Sequence, residues 1–373
     1  MVGLKKILIV GGGIAGMSCA IQLAKGGFHI DLIDLDPQWR VYGAGITITG
    51  PTLRALKELG VVEEVISAGG SYRGARSRTD SGMVIEEMTM PGLAKDIPYG
   101  GGIMRPALHD ILARRIKLAG VIVRLGSTVD FLEDLGSSVN VVFSDGTEGR
   151  YDLVVGADGI SSRTRRLIFP DAPEPKFTGQ GAWRTLAPRP PGLDMIEIYL
   201  GNPIKAGITP VSADGVYMFT LSPEAENDNI QQEEQVARLR NILANFGGLI
   251  GDIRDRLGPE SVIVYRPLKT IFMPAPWYKG RVVLIGDAVH AMTPHLASGA
   301  GCAIEDAIVL AHELQAVDNL EAALAFFMTR RFERCRDIFE TSIKIGEMEL
   351  AGASGETLSH IYGEANKRLV IPI

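Results

Sequence analysis

Three short stretches of this chain end an apolar run with glycine and an acidic residue. Each has the composition of a backbone site for a ligand. The first is Gly11-Gly12-Gly13-Ile14-Ala15-Gly16, a GxGxxG after the apolar run Ile7–Val10. Its first glycine permits a tight turn, its second lets backbone N–H groups approach a pyrophosphate, and its third lets a helix pack close to the strand. The helix that opens there offers unpaired N–H groups and a positive dipole end to phosphate oxygens. A second apolar run, Ile30–Ile33, delivers Asp34 where the ribose hydroxyls of an adenosine are expected, with Asp36 a near competitor. The motif alone leaves NAD and FAD both open.

The second stretch is Tyr151-Asp152-Leu153-Val154-Val155-Gly156-Ala157-Asp158-Gly159. It reads as a strand and a small-residue turn, and the plainer role for Asp158 is to cap a helix starting near Ser161. The third is Gly286-Asp287-Ala288 after Val282–Ile285, an acid at a strand's carboxyl end, where open α/β sheets bind ligands. That carboxylate suits sugar or ribityl hydroxyls. Downstream, Thr293-Pro294-His295-Leu296-Ala297-Ser298-Gly299-Ala300-Gly301 is a loop of small residues leading into a helix. Such a loop lets a flat ring lie against backbone, and the helix end can stabilise negative charge on it.

His295, in that loop, is the first candidate for proton handling, with a structural role the alternative. Arg184, beside Trp183, is the candidate partner for a substrate carboxylate or phenolate. Tyr217 is a candidate hydrogen-bonding group and Tyr199 a weaker one. His290 reads as structural; His29, His109, His312 and His360 read as surface residues. Met83, Met88 and Met90 read as core or pocket wall, core packing being favoured.

The elements that hold these residues read as strand, turn, helix and strand at the start, then apolar positions at helical spacing over 51–68. A helix is expected over 105–118, a strand over 121–125, and a hairpin joining 139–143 to 151–155. Residues 175–270 read as short strands with Pro and Gly turns, interrupted by one charged helix near 230–245. A parallel strand returns near 281, and a long helical stretch over 301–347 breaks near Asp318-Asn319. The last residues, 369–373, are apolar and are expected to pack back on the body. Gly100-Gly101-Gly102 lacks a preceding β-type run and reads as a surface loop, not a second nucleotide turn.

With 373 residues, 46% of them hydrophobic and 22% charged, the chain is expected to be globular. A net charge of −6 and no basic run argue against nucleic acid as a partner. Three scattered cysteines, Cys19, Cys302 and Cys335, fit buried thiols in a reducing compartment better than a disulfide or zinc framework. No apolar run is long enough for a membrane span or signal segment, so a cytoplasmic location is expected.

The three motifs in this order resemble the class A flavoprotein aromatic hydroxylases, such as the para-hydroxybenzoate and salicylate hydroxylases, over nearly the whole chain. The resemblance implies an α/β fold: a Rossmann-like FAD-binding domain with an inserted, mostly antiparallel β-sheet substrate domain and a long C-terminal helix. The expected division is 1–72, 98–174 and 275–373 for FAD and 73–97 with 175–274 for substrate. It implies FAD contacts from Gly11, Gly13, Ile14, Ala15, Gly16, Asp34 and Arg40. Further contacts are implied from the glycine loop Gly43-Ala44-Gly45-Ile46 through Gly45, and from Arg105 in an RxxLxxxL helix with Leu108 and Leu112. Asp158, Gly286, Asp287, Pro294, Ser298, Gly299 and Ala300 complete the implied set. Asp158-Gly159 is also associated with NAD(P)H. The family's usual GQG…AN loop is here Ala297-Ser298-Gly299-Ala300-Gly301, a departure that touches flavin mobility.

The activity so implied is monooxygenation of a small aromatic or heteroaromatic ring, with NAD(P)H as transient reductant and O2 as co-substrate, through a flavin C4a-hydroperoxide. The absence of a catalytic triad fits, since the cofactor carries the chemistry. A monomer or homodimer is expected. The alternatives are an epoxidase or reductase on the same scaffold, a non-catalytic flavin or nucleotide sensor, and a nicotinamide-only dehydrogenase. A halogenase is disfavoured because no WxWxIP run is present.

Overall fold

The computed structural model describes residues 4–41, 45–89, 92–94, 96–226 and 230–373. Lys6–Val10 lies inside a six-stranded sheet, parallel to Leu153–Gly156 on one side and His29–Asp34 on the other. Its Ile7–Val10 run is buried, as a strand covered on both faces requires. Val282–Leu284 and Ile122–Leu125 extend the sheet in parallel, and Tyr278–Lys279 closes one edge antiparallel. Helix Ile14–Lys25 follows the glycine turn and packs against helix Gly299–Ala316.

A seven-stranded sheet runs in the order Ile263–Thr270, Lys176–Pro188, Gly215–Pro223, Lys205–Pro210, Ile196–Leu200, Gly74–Thr79, Val84–Thr89. Only the pairing of Ile196–Leu200 with Gly74–Thr79 is parallel. Trp183, Tyr199, Met218 and Tyr265 bury one face in a core shared with Leu239 and Ile250 of helices Gln232–Ile242 and Gly248–Arg256. Tyr217 and Thr209 sit side by side on the other face, and Thr209 Oγ1 meets Thr47 Oγ1 at 3.0 Å. Thr47 belongs to a small sheet of Gly45–Thr49, Gly100–Met104 and Gly70–Tyr72, which joins the two larger sheets.

Gly100–Gly102 is therefore not a surface loop but the buried middle strand of that small sheet. A β-carbon on Gly100 would lie 2.4 Å from the Tyr72 ring, and one on Gly102 2.4 Å from the Pro210 carbonyl oxygen. Close approach of the seven-stranded sheet selects glycine at 102, and the Tyr72 ring of the neighbouring strand selects it at 100. The helical stretch 51–68 is two helices, Gly50–Leu59 and Val62–Ala68, separated by Gly60 at φ +81°. Val139–Phe143 pairs with Glu148–Tyr151, not with 151–155. The chain then changes sheets at Asp152, whose carboxylate accepts the N–H groups of Lys5 and Lys6 at 2.7 and 2.8 Å.

The C-terminal stretch breaks after Ala316. Asn319 caps helix Leu320–Leu350 by accepting the Ala322 N–H at 2.9 Å. A last helix, Gly355–Leu369, follows. Leu369 is buried and Ile373 packs against the main core, while Ile371 between them is exposed, its carbonyl accepting from Arg54 at 3.1 Å. Met83 and Met88 are exposed on and beside the edge strand rather than packed, because that strand has no neighbour on its outer side in the sheet. Met90 lies outside the described residues. All three cysteines are buried and free. Among the described residues, no helix is long and apolar enough to cross a membrane.

Candidate active site

The glycine turn separates into two kinds of position. Gly11 sits at φ +107°, and a β-carbon there would lie 2.4 Å from the Ala157 carbonyl oxygen. At Gly16 it would lie 1.9 Å from the Gly11 carbonyl oxygen. These two glycines let the turn press on Ala157–Asp158 and the helix press on the turn. Gly13 differs, since nothing lies within 4 Å of its would-be β-carbon. No side chain caps helix Ile14–Lys25, so its first N–H groups remain available to a ligand.

Asp34 braces this turn. Its Oδ2 accepts the Gly12 N–H at 2.7 Å and its Oδ1 the Asp36 N–H at 2.8 Å. Asp36 pairs with Arg40 at 2.8 Å on the surface. Asp158 is committed locally: it accepts from the Ser162 hydroxyl at 2.5 Å and from the Thr164 N–H and hydroxyl at 2.9 Å. Its side chain thus supports the start of that helix beside the cap residue Ser162, and what it gives the glycine turn is backbone contact under Gly11. Trp39 went unremarked in the sequence. Its indole Nε1 donates to the Gly12 carbonyl at 3.0 Å and its ring meets His109 edge-on at 4.8 Å. Only the aromatic type hinted at it.

The Gly286-Asp287 turn rests on the same helix. Gly286 has φ +62°, and a β-carbon on it would lie 2.8 Å from that of Ala15. Its N–H donates to Asp306 at 2.9 Å, and Asp306 faces His290 Nε2 at 2.6 Å. His290 is structural, as its sequence context suggested. Asp287 and Arg105 both reach solvent although protein crowds around them. Burial pushes the Arg105 guanidinium below its usual value, and nearby Arg184 pushes the same way. Tyr217 and Asp287 oppose them. Burial raises the Asp287 carboxyl, against the charges of His290 and Arg105. Four expected site residues from separate elements therefore share one electrostatic neighbourhood.

Within it Arg184 Nε donates to the Tyr217 hydroxyl at 3.0 Å. Tyr217 also packs with Val211, Met104 and Phe219, an apolar wall beside the two polar groups. Gly45 lies under Tyr217, where a β-carbon would come within 2.6 Å of Tyr217 Cβ. Gly43 and Ala44 lie outside the described residues. Tyr199 is core: it is buried and its hydroxyl accepts the Leu249 N–H at 3.1 Å.

The loop after Pro294 ends at helix Gly299–Ala316, whose cap residue Ser298 turns its hydroxyl to the Leu296 carbonyl at 2.8 Å instead of to the helix. The backbone N–H groups of Gly299 and Ala300 thus carry no side-chain cap. His295 is placed differently from the expectation of a group at the ring. Its side chain is wholly buried, with Nε2 3.1 Å from Glu349 of the long helix. Glu349 in turn pairs with Lys205, which also donates to the Tyr362 hydroxyl at 2.8 Å. Burial, and then Lys205, hold His295 below its ordinary value against Glu349, so the imidazole is neutral near pH 7. It ties the loop to the helix through a carboxylate that no sequence motif announced.

A family model described as FAD binding domain matches residues 5–336. The chain belongs to this FAD-binding family. YetM of Bacillus subtilis is 33% identical over 94% of this chain and 96% of its own length. The 6-hydroxynicotinate 3-monooxygenase of Pseudomonas fluorescens is 27% identical, covering 89% of each. The crystal structure of Klebsiella pneumoniae HpxO with FAD and uric acid superposes with a TM-score of 0.86 at 24% identity, over 99% of this chain and 96% of that one. The family is that of the class A aromatic hydroxylases inferred from the motifs, and the protein is an FAD-dependent monooxygenase with their fold.

The residues present fit FAD. Open space over Gly13 and an uncapped helix end suit the pyrophosphate, and Asp34 stands beside them. Gly286, beside Asp287, packs on Ala15 of the helix that opens at that cradle, so the two turns stand together on one helix.

Proposed function

We propose that this monooxygenase hydroxylates a small, anionic or phenolic heteroaromatic ring with electrons from NAD(P)H. One observation carries the reading: Arg184 Nε donates to the Tyr217 hydroxyl at 3.0 Å, and Arg105 feels the charges of Arg184, Tyr217 and Asp287, beside the turns that fit FAD. The relatives' names support the ring class, since one acts on a hydroxynicotinate and another is seen with uric acid. They favour ring hydroxylation over epoxidation.

Bound FAD would accept hydride from NAD(P)H and activate oxygen; this chain's residues position and protect that chemistry. Arg184 offers a charge-assisted bond to the ring's anionic group, and Tyr217, receiving a proton donor from Arg184, has its own O–H free to donate. Val211, Met104 and Phe219 exclude water from one side. The helix end at Gly299 stabilises negative charge facing it. The proposed division assigns 1–72, 98–174 and 275–373 to FAD and 73–97 with 175–274 to substrate. It is supported by a seven-stranded sheet drawn wholly from the second set. The proposed setting is a cytoplasmic monomer or homodimer.

The test is a panel of hydroxylated pyridines, purines, quinolones and benzoates under 18O2. The reading predicts ring-stimulated NAD(P)H consumption and one labelled oxygen in the product. No stimulation and no label across the panel, with FAD bound, overturns it.

A further inference from the structure

Three consecutive glycines, Gly11-Gly12-Gly13, make the phosphate turn easy to bend and equally easy to turn over. A peptide plane that turned over would face a phosphate with its carbonyl oxygen instead of its N–H. Two contacts fix these planes. Asp34 Oδ2 accepts the Gly12 N–H at 2.7 Å. That peptide is trans, so its carbonyl, belonging to Gly11, points the other way. It lies against Gly16, where a β-carbon would stand 1.9 Å from the carbonyl oxygen. The next plane, joining Gly12 to Gly13, is fixed from its carbonyl side. Trp39 Nε1 donates to the Gly12 carbonyl at 3.0 Å. This trans peptide therefore aims the Gly13 N–H away from the indole. No backbone group among the described residues accepts that N–H, and the space over Gly13 is open.

Two further features show that the indole contact is built in. Trp39 sits at φ +50°, the left-handed region that a bulky side chain rarely enters. Such a conformation persists only where surrounding contacts over-determine it. Here the Trp39 N–H donates to the Asp36 carbonyl at 3.1 Å, the ring meets His109 edge-on at 4.8 Å, and the indole N–H takes Gly12. Gly12 records the same contact from the other side. Its backbone is not left-handed, so its dihedrals alone do not require glycine. A β-carbon there would lie 2.4 Å from Trp39 Nε1. The first variable position of the GxGxxG is thus glycine because the indole occupies the place of its side chain.

We propose that Trp39 is a positioning residue for FAD: its indole holds the Gly12–Gly13 peptide with the N–H toward the cofactor's pyrophosphate and the carbonyl away from it. Asp34 and Trp39 then work as a pair, one on each of two successive peptides, and together they leave the turn with donors facing the anion. Trp39 acts through backbone and needs no contact with the ring substrate or the reacting atoms. Its effect is confined to ligands that carry the diphosphate, because only a negative group distinguishes an N–H from a carbonyl oxygen at that point.

The test titrates FAD, and separately ADP, into the full chain stripped of cofactor, alongside thermal unfolding of the same FAD-free samples. Trp39→Phe keeps an aromatic ring and deletes the donor. Its FAD affinity is expected to fall about tenfold, and its ADP affinity by a similar factor, with the unfolding temperature near that of the wild type. Gly12→Ala is expected to displace the indole and weaken FAD to the same degree. Combining Gly12→Ala with Trp39→Ala is expected to bind FAD no worse than Trp39→Ala alone, since the indole that the methyl displaces is already gone. Wild-type FAD affinity in Trp39→Phe overturns the proposal, as does a loss for FAD with none for ADP. So do losses that multiply to about 100-fold in the double variant, or a loss of affinity matched by unfolding of the FAD-free chain. Neither titration involves a ring substrate or turnover, so failure here is distinct from failure to hydroxylate any ring.

Discussion

Replacing Gly13 by valine isolates the phosphate cradle from the fold around it. Gly13 has φ −78° and ψ −171°, an extended conformation open to any L-residue. Its would-be β-carbon meets no protein atom within 4 Å. The expected cost to the FAD-free protein is that of a poorer helix N-cap, about 1 kcal/mol. The cost to FAD is larger, because the added side chain stands where a pyrophosphate must approach the backbone. Losing one or two charge-assisted hydrogen bonds, about 3 kcal/mol in all, weakens FAD roughly 100-fold. Gly16→Ala supplies the contrast. Its β-carbon would sit 1.9 Å from the Gly11 carbonyl oxygen, which is backbone and cannot swing aside. That overlap should cost about 3 kcal/mol with or without FAD. The assays are thermal unfolding of both apo variants and fluorescence titration with FAD. Wild-type FAD affinity in Gly13→Val, or equal destabilisation of the two apo variants, refutes the reasoning.

Three other outcomes follow from the same geometry. Asp287→Ala should weaken FAD about tenfold through a lost charged hydrogen bond; unchanged flavin content at limiting FAD contradicts the placement. Arg184→Met should raise KM about 10- to 100-fold for an anionic ring and far less for a neutral one; equal effects on both contradict a charge-recognition role. Glu349 is held at about 2, below its usual 4.5, by Lys205 and His295 working against burial. Its pairing therefore stabilises the fold above about pH 4.5 and is lost as pH falls toward 2. Glu349→Gln should flatten that acid limb in urea-unfolding measurements and cost about 3–5 kcal/mol at pH 7, where Lys205 is left buried without its counter-charge. A wild-type acid limb in this variant contradicts the pairing.

The glycine turns were legible in the sequence because those residues act through backbone. Gly11, Gly16 and Gly286 are required by contacts of 1.9–2.8 Å that no other side chain permits, so their types alone mark the turns. Helix Arg105–Leu118 was equally legible, with Pro106 at its start. Gly100–Gly102 misled for the converse reason: glycine there makes room for the Tyr72 ring of a neighbouring strand and for Pro210 of another sheet, relations invisible along one strand. The hairpin ending at Tyr151 and the parallel strand starting at Leu153 are separated only by Asp152, and local periodicity cannot show a change of sheet. Asp158 and His295 were read from their neighbours in sequence. What decides their roles is Thr164 for the one and Glu349 for the other, and the Glu349 contact spans 54 residues. The Arg184–Tyr217 contact joins two neighbouring strands in the same way. Residue type suggested each partner, and only the register brought them together.

The most direct measurement is the visible spectrum of the purified chain before and after incubation with excess FAD, with the flavin released and counted. One FAD per chain, lost in Gly13→Val while the apo fold survives, is the predicted result. A colourless protein that excess FAD cannot reconstitute would contradict the claim that the glycine turn and the Gly286-Asp287 turn grip one cofactor.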